Sequence, residues 1–198
     1  MFDYKISIET FENMLKNRNT SYKLFLMKYL LDNISENKIN FSFRELSCGL
    51  VSHAWEYYET NYERFTKNDR IYDLVQYILS QYPNITIYSS VKDVLEFLLE
   101  SSDREINIRL KQLSACAPYR LLFPFVKEYN LSSLPWDKQN KKIEELSQQY
   151  EMFYEIHGKE IKINNKWLRF ICCNRLLVCQ RLNLILKSTY EKKQHNLC

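Results

Sequence analysis

The sequence predicts a mainly α-helical, multi-helix globular domain that carries one short strand and one small β-hairpin. Three observations lead there. Apolar residues recur at helical spacing through most of the chain, the joints between these stretches are short and polar, and the pattern turns alternating only near residues 39–43 and 151–163. With 198 residues, 45% of them hydrophobic, the chain can bury a full core. It reads as one helical domain over 1–198, divisible into an acidic helical half, 1–116, and a basic half, 117–198, with the hairpin and a long final helix.

The elements follow in order. Residues 22–31 place apolar side chains on a helical period that runs on to about residue 36, which marks a core helix. Residues 39–43 alternate as a short strand does. Ser42 with Glu45 three positions later is a capping-box signature, so a helix through Leu46, Leu50, His53, Ala54 and Tyr57 starts there and ends near Tyr58, with Trp55 as a structural anchor. Asn68 or Asp69 caps a helix holding Ile71, Leu74, Val75, Ile78 and Leu79, closed by Pro83. Ser90 with Asp93 opens the helix of Val91, Val94, Leu95, Leu98 and Leu99, and Ser102 with Glu105 opens that of Ile106, Ile108, Leu110 and Leu113.

Residues 117–125 are aromatic and hold Pro118 and Pro124, two of only four prolines. Prolines oppose an ordinary helix, so a packed irregular corner is expected. Tyr119 and Arg120 are structural in it, with Arg120 partly buried and paired to a carboxylate or to helix-end carbonyls. Pro135 punctuates the chain again before a polar, solvent-facing helix over 138–150. Segments 152–156 and 159–163 flank His157-Gly158 and read as a β-hairpin whose glycine supplies a positive φ. Asn164 or Asn165 then caps a last helix from Lys166 to beyond Leu186, anchored by Trp167.

Composition narrows the function. Two glycines in the whole chain leave little material for phosphate cradles, nucleophile elbows or dinucleotide turns, so the common nucleotide-binding enzymes are disfavoured. No secretory signal is visible at the N-terminus, and no run approaches the ~18 apolar residues of a membrane span. Cys48, Cys116, Cys172, Cys173, Cys179 and Cys198 lack zinc-site spacings and a disulfide framework, which points to a reduced, cytoplasmic setting. Residues 1–100 hold 11 Lys+Arg against 14 Asp+Glu, a net of −3; residues 101–198 hold 17 against 10, a net of +7. Only the second half has an electrostatic reason to seek a polyanion.

Several constellations invite chemistry. His53, Glu56 and Glu59 are spaced by three on one helix, but Trp55, Tyr57 and Tyr58 among them suggest an amphipathic helix with a solvated acidic edge. Glu160 and Lys162 fit the Glu-x-Lys half of a metal-dependent nuclease site, yet the partner strand offers only Glu151 and Glu155 in place of an Asp; an exposed hairpin face of alternating charge is the plain alternative. Cys172 and Cys179 share a helix face and read as buried thiols. The basic final helix is the better candidate: Lys166, Arg169, Arg181, Lys187 and Lys192 fall on one arc, opposite Trp167, Ile171, Val178, Leu182 and Ile185. With Lys162, these residues are the expected nucleic-acid contacts. No catalytic residue, metal ligand or cofactor is assigned.

Three stretches carry a resemblance. Residues 21–25 with 39–46 and 53–55, the Pro-bracketed 117–125, and the helix from Trp167 to the 190–196 run resemble the N-terminal region of a bacterial family of HNH-endonuclease-domain proteins. The family's metal-binding HNH module lies further along its chain, and His195-Asn196 is not followed by residues that could form one. The resemblance implies a non-catalytic recognition or scaffold region that binds nucleic acid through its basic C-terminal helix. The alternative is a protein-interaction or homodimer module in which the 15 tyrosines present an aromatic patch; a third is the Glu160/Lys162 nuclease. No membrane partner is expected.

Overall fold

The structure, a computed structural model, describes residues 6–16, 22–61 and 69–191. It is mainly helical with a small three-stranded open sheet. The helices are α1 (Ile8–Leu15), α2 (Tyr22–Asn33), α3 (Phe43–Asn61), α4 (Arg70–Gln81), α5 (Val91–Glu100), α6 (Arg104–Ser114), α7 (Ala117–Leu122), α8 (Trp136–Gln149) and α9 (Asn165–Glu191). The strands are β1 (Asn40–Ser42), β2 (Tyr154–His157) and β3 (Glu160–Ile163).

The central helix is α2, buried on nearly every side through Leu24, Phe25, Leu26, Met27, Tyr29, Leu30 and Leu31, with α3 and α9 packed against it. It ends at Asn33 rather than near residue 36. Close approach of α3 to α2 depends on Gly49, where an added Cβ would lie 2.2 Å from the Tyr29 ring. Neither partner could yield in so tight an interior.

The hairpin and the early strand form a single sheet in the order β1-β3-β2, antiparallel throughout. Phe41 pairs with Ile161, and Ile156 pairs with Ile161 from the other side. The turn lies one residue later than expected: His157 is opposite Glu160, and Gly158-Lys159 form the two-residue loop, with Gly158 at φ +63°. Alternation then buries Tyr154, Ile156, Ile161 and Ile163 and leaves Glu160 and Lys162 outside.

Local signals explain the helix starts. The Ser42 hydroxyl accepts from the Glu45 N–H at 3.1 Å and the Glu45 carboxylate accepts from the Ser42 N–H at 3.4 Å; Ser90 and Asp93 form a second capping box. Asp69 caps α4. At α6 the cap is Asp103 rather than Ser102, and its carboxylate accepts from the Ile106 N–H at 2.8 Å and from the hydroxyls of Tyr82 at 2.6 Å and Tyr77 at 3.2 Å. The Tyr82 hydroxyl first, then the Ile106 amide and the Tyr77 hydroxyl, hold the carboxyl below its ordinary value against the opposing effect of burial, and Tyr82 is pushed up to about 12 in turn.

The proline-bracketed segment is helical, not irregular. Pro118 stands in the first turn of α7 and Pro124 in the first turn of a 3-10 helix, Phe123–Tyr129, where a missing N–H has no partner to lose. Arg120 is exposed rather than partly buried, and its guanidinium lies over the Trp136 ring, 4.2 Å from the centroid, instead of on a carboxylate. Tyr119 is buried against Phe43, ring edge to face, and Trp55 is buried with its indole N–H on the Thr86 carbonyl at 3.0 Å. Helix α8 is amphipathic rather than wholly solvent-facing, since Ile143, Leu146 and Ser147 are buried and the helix packs on β2.

Because the Asp103 carboxyl is depressed in the folded state, its stabilisation is complete above the ordinary value of 3.8 and is lost as pH falls below it. Asp103→Asn keeps a capping side chain but loses the charge, so its melting temperature should fall below wild type by about 2–4 °C at neutral pH. Thermal melts should show that gap closing as pH drops below the carboxylate range; a gap that widened there would contradict the assignment.

Candidate functional site

The first turn of α9 is fixed by Asn164, whose side-chain oxygen accepts from the Lys166 N–H at 2.9 Å and the Trp167 N–H at 3.4 Å. Trp167 is fully buried among Phe125, Phe153 and Phe170 in edge-to-face contacts, its indole N–H without a hydrogen-bond partner. At Asn174 the backbone leaves helical geometry (φ −119°, ψ 19°) while its side chain donates to the Phe170 carbonyl at 2.9 Å, which kinks the helix. Past the kink, Arg175 donates to the carbonyls of Leu31 and Ile34, the C-terminal end of α2. Val178, Leu182 and Leu186 then bury the rest of the inward face.

Two residues of the expected basic arc are ion-paired. Lys166 pairs with Glu151 at 2.5 Å, and Arg181 with Glu12 at 3.6 Å. Lys162 is exposed and stands opposite Glu155 across the sheet. Arg169 is exposed and borders a small cleft with Glu36; Lys187 is exposed, and neither makes an ion pair among the described residues. Lys192 lies outside the described residues. Arg175, absent from the expected set, is the basic side chain of this helix most tied to the fold.

What the helix shows outward is mixed. Leu176 is 73% exposed, Leu184 58% and Leu177 38%, and Cys172 and Cys173 are exposed beside them. Cys172, read from its spacing with Cys179 as a buried thiol, is exposed, and Cys179 is half-buried. At about 100° and 1.5 Å per residue, Cys173, Leu176, Leu177 and Leu184 fall within an arc of about 100° and a length of about 17 Å. Arg169 lies toward one end of this stripe and Lys187 toward the other.

The other constellations do not assemble into a site. His53 is buried, with Nε2 3.0 Å from the Asp32 carboxylate and Nδ1 2.8 Å from the Gly49 carbonyl, while Glu56 lies 3.8 Å from Lys28. The Glu59 side chain is outside the described set. Glu160, Lys162, Glu155 and His157 share the open sheet face, but Glu155 is held by His157 at 3.0 Å. No group of three or more His, Cys, Asp or Glu side chains that could hold a metal occurs among the described residues. The tyrosines do not build a surface patch: Tyr22, Tyr29, Tyr58, Tyr119 and Tyr154 are buried, and Tyr88 is the one largely exposed tyrosine among the described residues. No described helix is long and apolar enough to cross a membrane.

Comparison of the chain with protein-family models, curated proteins and solved structures finds no match.

Burial pushes the Cys48 thiol up to about 12, whereas Cys172 and Cys173 face solvent. Alkylation of the native protein at neutral pH, mapped by mass spectrometry, should modify Cys172 and Cys173 quickly and Cys48 only after unfolding. Protection of Cys172 and Cys173 equal to that of Cys48 would contradict the outward orientation of the α9 stripe.

Proposed function

We propose that this chain is a non-catalytic protein-interaction module that docks a partner on the outward face of α9. The observation that carries this reading is the exposure of Leu176, Leu177 and Leu184 on a helix whose opposite face is fully packed. Apolar residues at the centre of a charged rim are the usual anatomy of an interface. The rim holds Arg169 and Lys187, without ion pairs among the described residues, so the complementary partner is a segment that sets acidic residues around an apolar stripe. A reducing, cytoplasmic setting belongs to this reading and is consistent with five free thiols among the described residues.

A second reading keeps the recognition role that the HNH-type resemblance implies, with nucleic acid as the partner. The same two unpaired cations and the net charge of +7 in the second half favour it. The intervening leucines and the pairing of Lys166 and Arg181 count against it.

A photo-crosslinking residue placed at Gln180, between the leucines, tests the proposal in cells. It should give a protein adduct whose linked peptide is acidic, absent when the crosslinker sits at Lys92 on α5, and lost with Leu176→Glu/Leu184→Glu. Duplex DNA binding that falls steeply with salt, is removed by Arg169→Glu/Lys187→Glu and survives the leucine changes would overturn it in favour of the second reading.

A further inference from the structure

A groove of about 780 Å³, with no lining residue on α9, lies where the start of α3, the end of α6, α7, α8 and the hairpin turn meet. That size suits a small organic ligand. Its apolar lining comes from Phe43, Leu110, Ala115 and Tyr119, all in the rigid frame except the exposed Ala115. Phe43 and Tyr119, in edge-to-face contact with each other and each 8% exposed, contribute a narrow apolar strip to the wall.

The charged groups are Arg44, Lys111 and Lys159 against one carboxylate, Glu160, which is exposed at the hairpin edge of the groove. Lys111 and Lys159 are exposed on the groove and make no ion pair among the described residues. Arg44 also borders it, but its guanidinium is spent on Asn107 and on the carbonyls of Leu98, Leu99 and Ser101, so it contributes positive field rather than free donors. Asn140 also lines the groove and donates its amide N–H to the Ala115 carbonyl at 2.9 Å, which ties α8 to the end of α6 there.

From this arrangement we infer that the groove is a binding site for a small aromatic anion. The ring packs on the apolar wall of Phe43, Leu110, Ala115 and Tyr119, and the anionic group faces Lys111 and Lys159 and away from Glu160. Mixed chemistry of this kind disfavours a purely apolar occupant, which would strip water from two ammonium groups without replacing it. The inference is independent of the α9 proposal, since none of these residues lies on that helix.

The test uses 8-anilinonaphthalene-1-sulfonate, which has aromatic rings, a sulfonate and one N–H, and its uncharged analogue N-phenyl-1-naphthylamine. Fluorescence titration of the intact chain should show one saturable site for the sulfonate, with roughly tenfold weaker binding of the neutral analogue. Lys111→Glu/Lys159→Glu, at two exposed positions, should weaken the sulfonate by a similar factor and leave the melting temperature unchanged. Ala115→Phe, which fills the groove from its rim, should abolish binding, while Arg169→Glu/Lys187→Glu should leave it intact. Equal affinity for the two dyes, or binding indifferent to the lysine and alanine changes, would overturn the inference. Displacement of the sulfonate by an acidic peptide at stoichiometric concentration would also overturn it, by making the groove a peptide site.

Discussion

The constraint on which this fold turns is the scarcity of glycine at helix ends. A helix leaves its last carbonyls without partners, and many helices finish with a glycine in the left-handed region that lets the chain fold back to satisfy them. Here there are two glycines, one inside α3 and one in the hairpin turn, so no helix has that option. Cations from elsewhere in the chain take the role. Lys23 donates to the carbonyls of Met14 and Lys16 at the end of α1, at 3.0 and 2.5 Å. Arg175 serves α2, Arg44 serves α5 through Leu98, Leu99 and Ser101, and Arg70 reaches Gln112 in the last turn of α6 at 3.0 Å. Positive charge at a helix C-terminus also offsets the macrodipole. The one left-handed non-glycine residue, Asn130 at φ 48°, ends the 3-10 segment in the same economy.

Capping from a distance makes each of these four helix ends a tertiary contact. Arg175 joins the central helix to the last one across 141 and 144 positions of sequence. The sheet does the same for the strands, with the Phe43 N–H on the Lys159 carbonyl at 2.7 Å and the Ile163 N–H on the Ile39 carbonyl at 2.8 Å extending the β1–β3 pairing. Held at both points, α9 buries one face against the core and is left with an outward stripe that nothing in the described chain covers. The groove beside Phe43 arises at the same junction, where the hairpin turn, α3 and α6 converge without filling the space between them.

Much of the frame was legible from short-range signals. Ser42 with Glu45, Ser90 with Asp93, Asp69 and Asn164 announce their helix starts because a cap is a contact between residues two or three apart. The strand near Phe41 and the hairpin were legible from alternation, but not their pairing, which is set by burial of Phe41 and Ile161 on one face rather than by any local motif. Pro118 and Pro124 misdirected the reading, since a proline opposes a helix interior and suits a first turn, and position within the helix cannot be seen before the helix is placed. The basic arc on α9 was visible as periodicity, yet its partners Glu151 and Glu12 come from other elements, and the role of Arg175 depends on where α2 ends. Leu176, Leu177 and Leu184 share a face opposite Trp167, Ile171, Val178 and Leu182 on the helical period, but that nothing covers this face depends on how the other elements pack.

Arg44 tests the capping account most directly, because it is exposed and makes no ion pair among the described residues, so an ordinary surface arginine at its place would matter little. Denaturant unfolding of Arg44→Met should show a loss of about 2 kcal/mol, as expected when a charged donor leaves several helix-end carbonyls without partners. A loss within about 0.5 kcal/mol, the usual range for a surface substitution, would contradict the claim that distant cations close these helices.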